Sequence, residues 1–128
     1  MLSWVKQPTP FISVNFMKTT NVWETEPGPN PHGVETRKIY DTDHNLSVHL
    51  RLKPGEKLRR HITPVDVMFY VLEGEGIVEV GDEKKLVKKD TVINSPAKIV
   101  HCWYNESDSD LRVLIVKTPR PQDKTIML

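Results

Sequence analysis

The chain has 128 residues, enough for one domain with its own core. Lys and Arg number 18 against 17 Asp and Glu, a net charge of +1, so composition gives no electrostatic ground for binding nucleic acid or a membrane surface. A lone cysteine, Cys102, excludes an internal disulfide and suits a reducing compartment, and no apolar run approaches the length of a membrane span.

The start, MLSWVKQPTPFISV, has no charged region ahead of an unbroken apolar stretch, and Pro8 and Pro10 interrupt it. No secretory signal is expected, and a cytoplasmic location is. Pro8, Pro10, Pro27, Pro29 and Pro31 all precede residue 32, which rules out a central strand or a helix interior there. Within this part FISVNF alternates, with Ile12, Val14 and Phe16 on one side and Ser13 and Asn15 on the other. It reads either as a short strand on an extended arm or as a disordered lead-in. Residues 1–33 are set apart as a proline-rich arm, 34–118 as the folded domain and 119–128 as a tail.

From residue 34 short strand patterns alternate with turn signals. VETRKIY is followed by the turn-like DTDHN and then by LSVHLRL, where Leu46, Val48, Leu50 and Leu52 alternate with Ser47, His49 and Arg51. The interrupted basic run RLKPGEKLRR reads as a solvated loop around a Pro-Gly turn. DVMFYVL is an apolar run of strand length, turned by GEG into IVEV and by GDEK into KLV. TVINS, IVHCWYN and LRVLIVK follow, the last two separated by ESDSD. Strands are predicted near 46–52, 66–72, 76–80, 91–94, 99–104 and 111–117. No segment keeps helical spacing over three turns, so the pattern is that of an all-β sandwich or barrel. The tail TPRPQDKTIML ends in an apolar cluster that a free tail would rarely need.

Two motifs within these strands resemble those of the small single-domain cupins. The first cupin motif is Gly, five residues, His-x-His, three or four residues, Glu, six residues, Gly. Here Gly55 and His61 match, Thr63 stands at the second histidine, and Val67 stands at the glutamate when counted back from Gly74. The second motif is Gly, five residues, Pro-x-Gly, two residues, His, three residues, Asn. Pro96, His101 and Asn105 match, while Asp90 and Lys98 replace the two glycines. The resemblance spans roughly residues 46 to 117. It implies an antiparallel double-stranded β-helix, the jelly-roll cupin barrel.

Side chains two apart on a strand share a face, so His61 with Thr63, and His101 with Trp103, should point inward, with Cys102 turned away. The resemblance makes His61 and His101 candidate ligands for a divalent transition metal, with a neutral polar pocket pair as the alternative. Thr63 is a poor ligand and Val67 is none, so metal binding is expected to be weak and readily reversed by chelator. Thr63, Val67, Trp103 and Arg59, which shares the parity of His61, are expected to line the pocket. Asp66, His32 and His49 are left as residues that could complete the site. By parity Asp66 and His49 point outward, and His32 reads first as a plain loop histidine, with folding over the barrel mouth as the lesser alternative. His44 reads as an exposed turn residue, and Cys102 as a small buried hydrophobe.

Two functions fit these residues. One is a protein that binds a small polar molecule in the central pocket, with a degenerate metal site. The alternative is a metal-dependent cupin enzyme of dioxygenase or isomerase type acting on a small organic substrate. A homodimer is also expected, with the arm pairing with or packing over the partner's sheet, because FISVNF and TIML have no evident place on a closed barrel.

Overall fold

The computed structural model describes residues 16–128; most of FISVNF lies outside them. Apart from a three-residue 3-10 turn at Val22–Glu24, the described chain is built from strands. These are β1 (Glu35–Asp41), β2 (Leu46–Leu52), β3 (Lys57–Ile62), β4 (Asp66–Glu73), β5 (Glu75–Val80), β6 (Glu83–Lys88), β7 (Val92–Ser95), β8 (Val100–Tyr104), β9 (Leu111–Thr118) and β10 (Ile126–Met127). They form two five-stranded antiparallel sheets, in the orders β1-β2-β9-β4-β7 and β10-β3-β8-β5-β6. This is the expected jelly roll, and the six predicted strands are all present.

Alternation decides which side chains fill the space between the sheets. Leu50 and Leu52 of β2, Val71 of β4, and Leu111 and Val113 of β9 are fully buried, and Trp103 of β8 packs edge-on against Phe69 of β4, ring centroids 5.4 Å apart. These residues fill one end of the barrel. Gly76 lies against them, where an added Cβ would come within 2.5 Å of the Leu111 side chain. Gly74 closes the β4–β5 turn at φ +79°, and a Cβ there would collide with the Asp110 carbonyl oxygen, so only glycine fits.

Three parts differ from the sequence reading. The basic run is not a loop throughout: Lys57–Ile62 is strand β3, with Lys57, Arg59 and Arg60 exposed and Leu58 and His61 buried. A bulge between Leu58 and His61 puts two residues between the inward positions, which hides the period of two. The tail also has a place on its own barrel: Ile126 and Met127 pair with Ile62 and His61 along the edge of β3. Finally, the arm from Trp23 onward folds back on its own sheet, while Phe16 and Met17 are exposed. Asn21 Oδ1 accepts from Trp23 N (2.9 Å) and caps the turn that sets Trp23 over β1, β2 and β9. The Trp23 ring stands edge-on to His49 (5.3 Å) with the Arg37 and Arg112 guanidinium groups 5.6 and 5.0 Å from its centroid. His49 faces outward, as its parity requires, yet is fully buried beneath this strap.

Candidate ligand pocket

The barrel end away from Trp103 is not filled. A cavity of about 480 Å³ lies there between the sheets, with walls that include Leu58, His61, Thr63, Val67, Phe69 and His101. Val48, Ile115 and Lys117 complete the inner face, Lys38 of β1 and Met127 of β10 stand at the edge, and Pro29–His32 lie across the opening. At this end the inward rows include Val48, Thr63, Val67, His61 and His101, while at the other end they carry Leu50, Leu52, Leu111 and Trp103.

His61 and His101 are direct partners on neighbouring hydrogen-bonded strands of one sheet, not on strands facing across the barrel. Their rings meet edge to face with centroids 4.4 Å apart. The Nδ1 of His61 bonds the Arg59 carbonyl at 2.6 Å, which leaves Nε2 toward the cavity. His101 has both nitrogens engaged: Nδ1 with Ser95 Oγ (2.6 Å) and Nε2 with Thr63 Oγ1 (3.1 Å). The Thr63 hydroxyl therefore takes the nitrogen that a metal would need. Ser95, buried on β7 opposite Val67, was not evident in the sequence. Its signal lay in the position just before Pro96 of the second motif.

His32 joins this row. Its ring lies 4.5 Å from that of His61, and its Nδ1 is buried with no hydrogen-bond partner among the described residues. Asn30 fixes that placement by donating to the Val34 carbonyl (2.6 Å) and Thr36 Oγ1 (3.1 Å) while its Oδ1 accepts from His32 N (2.9 Å). The simpler reading of His32 as a plain loop residue is thus corrected. All three imidazoles are held neutral: burial, then the neighbouring His61, pushes His32 down to about 4 and His101 to about 3, and burial lowers His61.

Other expected residues fall elsewhere. Arg59 does not reach the cavity; the bulge turns it outward, where it is exposed in a shallow depression with Lys57, Arg60 and Tyr104. Trp103 lies beneath the pocket in the packed end, and its indole N–H has no partner among the described residues. Asp66 faces outward and accepts from the Ala97 amide at 2.8 Å. His49 is engaged outside, its Nε2 accepting from Arg112 Nε at 3.0 Å. His44 is exposed, and Cys102, buried on the outer face, is held above its ordinary pKa first by that burial.

The donor set does not fit a resident metal. Only His61 has an imidazole nitrogen free to face the cavity from the motif positions, no carboxylate among the described residues lines it, and Lys117 enters from β9. Among the described residues no group of three His, Cys, Asp or Glu side chains is arranged to hold an ion. What remains is a half-enclosed hollow with apolar walls and a polar row of imidazoles, hydroxyls and ammonium groups, the composition of an organic-ligand site.

The TT1209 protein of Thermus thermophilus has a similar structure, with a TM-score of 0.71 and 29% identity over 82% of this chain and 100% of its own. The polyketide cyclase RemF of Streptomyces resistomycificus shares the fold at 18% identity, TM-score 0.76, covering 88% of this chain and 86% of its own. A predicted oxalate decarboxylase of Thermotoga maritima does so at 21% identity, TM-score 0.69, covering 87% and 100%. Among curated proteins, no relative matches the chain. The family model for the cupin domain matches residues 48–117, from β2 through both histidine-bearing strands to β9. More than half the sequence lies in that match and the sheets close as the family's do, so this chain belongs to the cupin family.

Proposed function

We propose that this cupin binds a small organic molecule in the cavity beside His61 and His101, and that binding does not depend on a resident metal. The observation that carries this reading is the cavity of about 480 Å³ itself, at the motif histidines, with one of those histidines tied to Thr63 and Ser95. His61 Nε2 and the His32 imidazole are then free to bond a ligand, and Phe69, Leu58 and Ile115 supply apolar contact. A divalent ion would find one free imidazole nitrogen at the motif positions and, among the described residues, no carboxylate, so its binding is weak and chelator removes it. A metal-dependent enzyme would need ligands that these positions lack.

Methyl NMR of the isotope-labelled protein with a fragment library tests the reading. Fragments should shift Leu58, Val67 and Ile115 together, and His61→Ala should weaken those that bind. Fragments that shift only surface methyls would defeat it.

We further propose a homodimer. The tail pairs with its own β3 and Trp23 packs on its own sheet, while the FISVNF segment expected to reach the partner lies almost wholly outside the described residues. The free edges of β6 and β7 border a groove of about 930 Å³ that holds none of the histidines and exposes Leu86, Val92 and Ile99. Such an apolar sheet edge is a surface that a second copy would cover.

A further inference from the structure

The charges around the cavity are all of one sign. Lys117 continues the inward row of β9 after Leu111, Val113 and Ile115, so its side chain enters the barrel, partly buried. Lys38 on β1 and Lys124 in the tail stand at the same cavity. Three histidines, Asn30 and the hydroxyls of Thr36, Thr63 and Thr125 add neutral polar groups, and among the described residues no Asp or Glu lines the cavity. None of the three lysines forms an ion pair among the described residues. Residues 1–15 contain no Asp or Glu, so no carboxylate from that part of the chain can answer the charge. Elsewhere the ion pairs are made by arginines, as in Arg51 with Asp110 (2.8 Å) and Arg60 with Glu79 (3.2 Å), while most lysines stand exposed in solvent; Lys117 differs in being unpaired inside the barrel. Burial, then the neighbouring Lys38, holds the Lys117 ammonium below the usual lysine range, as expected of a cation without a counter-charge.

Much of the remaining lining is hydrocarbon. Val48, Phe69 and Ile115 of one sheet and Leu58 of the other face the same cavity. A ligand that satisfied both kinds of lining would carry a charged group and an apolar body.

Taking the cavity as the binding site proposed above, we infer that its ligand is an organic anion: a carboxylate paired with Lys117 and hydrogen-bonded by His32, its apolar body lying against Leu58, Phe69 and Ile115. Lys117 supplies the counter-charge and the neutral His32 ring, bonded to nothing else among the described residues, supplies an N–H donor. His61 gives its Nδ1–H to the Arg59 carbonyl, so its Nε2 can only accept, from a hydroxyl of the ligand.

A charge series of one size tests it. Benzoate, benzamide and benzylamine are titrated into the full chain, with inorganic phosphate as a fourth probe, following the methyl signals of Val48 and Ile115 by NMR. Leu86 in the outer groove is the control. Benzoate should bind at least about tenfold tighter than benzamide, the scale of a charge-assisted hydrogen bond in a sheltered site, and benzylamine most weakly. Phosphate, lacking the apolar body, should bind more weakly than benzoate. Lys117→Met should remove most of the preference for benzoate over benzamide, and Lys117→Arg should keep most of it. A normal methyl spectrum for each variant shows that it is folded; if Lys117→Met is not, Lys117→Gln takes its place. Equal binding of benzoate and benzamide, or phosphate binding that matches benzoate, would overturn the anion inference while leaving the pocket reading intact. Pocket methyls unmoved by all four probes would overturn both.

Discussion

Single residues show how far a motif can drift while its backbone holds. Asp90 and Lys98 stand where the second motif has glycine, and both keep the left-handed backbone that glycine would allow, each at φ +67°. Asp90 gains something in return, because its carboxylate accepts the Tyr70 hydroxyl at 3.0 Å. Lys98 is exposed and its side chain bonds nothing in the described protein, although its amide donates to the Thr63 carbonyl at 2.9 Å. Lys98→Gly should therefore stabilise the protein by about 0.5–1 kcal/mol in urea denaturation, the relief of the left-handed strain less glycine's greater unfolded entropy. No gain would mean that the turn carries no strain. Asn105 was legible as a motif residue, but its task was not. Its amide donates to the carbonyls of Leu52 (2.9 Å) and Ser109 (2.8 Å), and its oxygen accepts from Ser107, tying two loops together from a buried position. Asn105→Ala should cost about 2–4 kcal/mol by leaving those carbonyls unpaired, read as a lower urea midpoint with an unchanged slope.

Strands with unbroken alternation could be read from the sequence, as β2 and β9 show, because every second residue meets the core. The elements that shape the site could not. β3 was hidden by its bulge, which also misplaced Arg59, and the strap at Trp23 depends on Arg37, His49 and Arg112, which are distant in sequence. His49 under that strap is pushed down to about 4, first by burial and then by Arg112. In the unfolded chain it titrates near the ordinary histidine value of about 6.5. Its contribution to stability is thus complete above that value and is lost as pH falls from about 6.5 toward 4. His49→Gln keeps an acceptor for Arg112 and removes the titration. Its melting temperature should fall less than the wild type's between about pH 7 and pH 5. Parallel curves for the two proteins would show that His49 is not held neutral. The fall should shrink rather than vanish, since burial lowers His32, His61 and His101 as well.

At the scale of the whole molecule, the two sheets leave two openings, one between β1 and β10 beside the histidines and one between β6 and β7. The second is the proposed dimer face. Leu86→Lys combined with Val92→Lys should convert a dimer to a monomer in light scattering without loss of fold, and a wild-type protein monomeric at high concentration would end that proposal. The first opening carries the central claim, that this barrel has kept the family's pocket while giving up its metal. The fold and the two histidines were legible because motif spacing preserves them. The tying of His101 by Thr63 and Ser95, and the arrival of His32, were not, because both depend on side chains that meet only when the sheets close. The direct test is metal retained per chain after dialysis against chelator, measured on tag-free wild type and on a Thr63→His, Val67→Glu double variant. The wild type should retain well under one equivalent, and the double variant should bind a divalent transition metal at least about tenfold more tightly, having regained a nitrogen and a carboxylate. One equivalent of metal held by the wild type through that dialysis would contradict the claim.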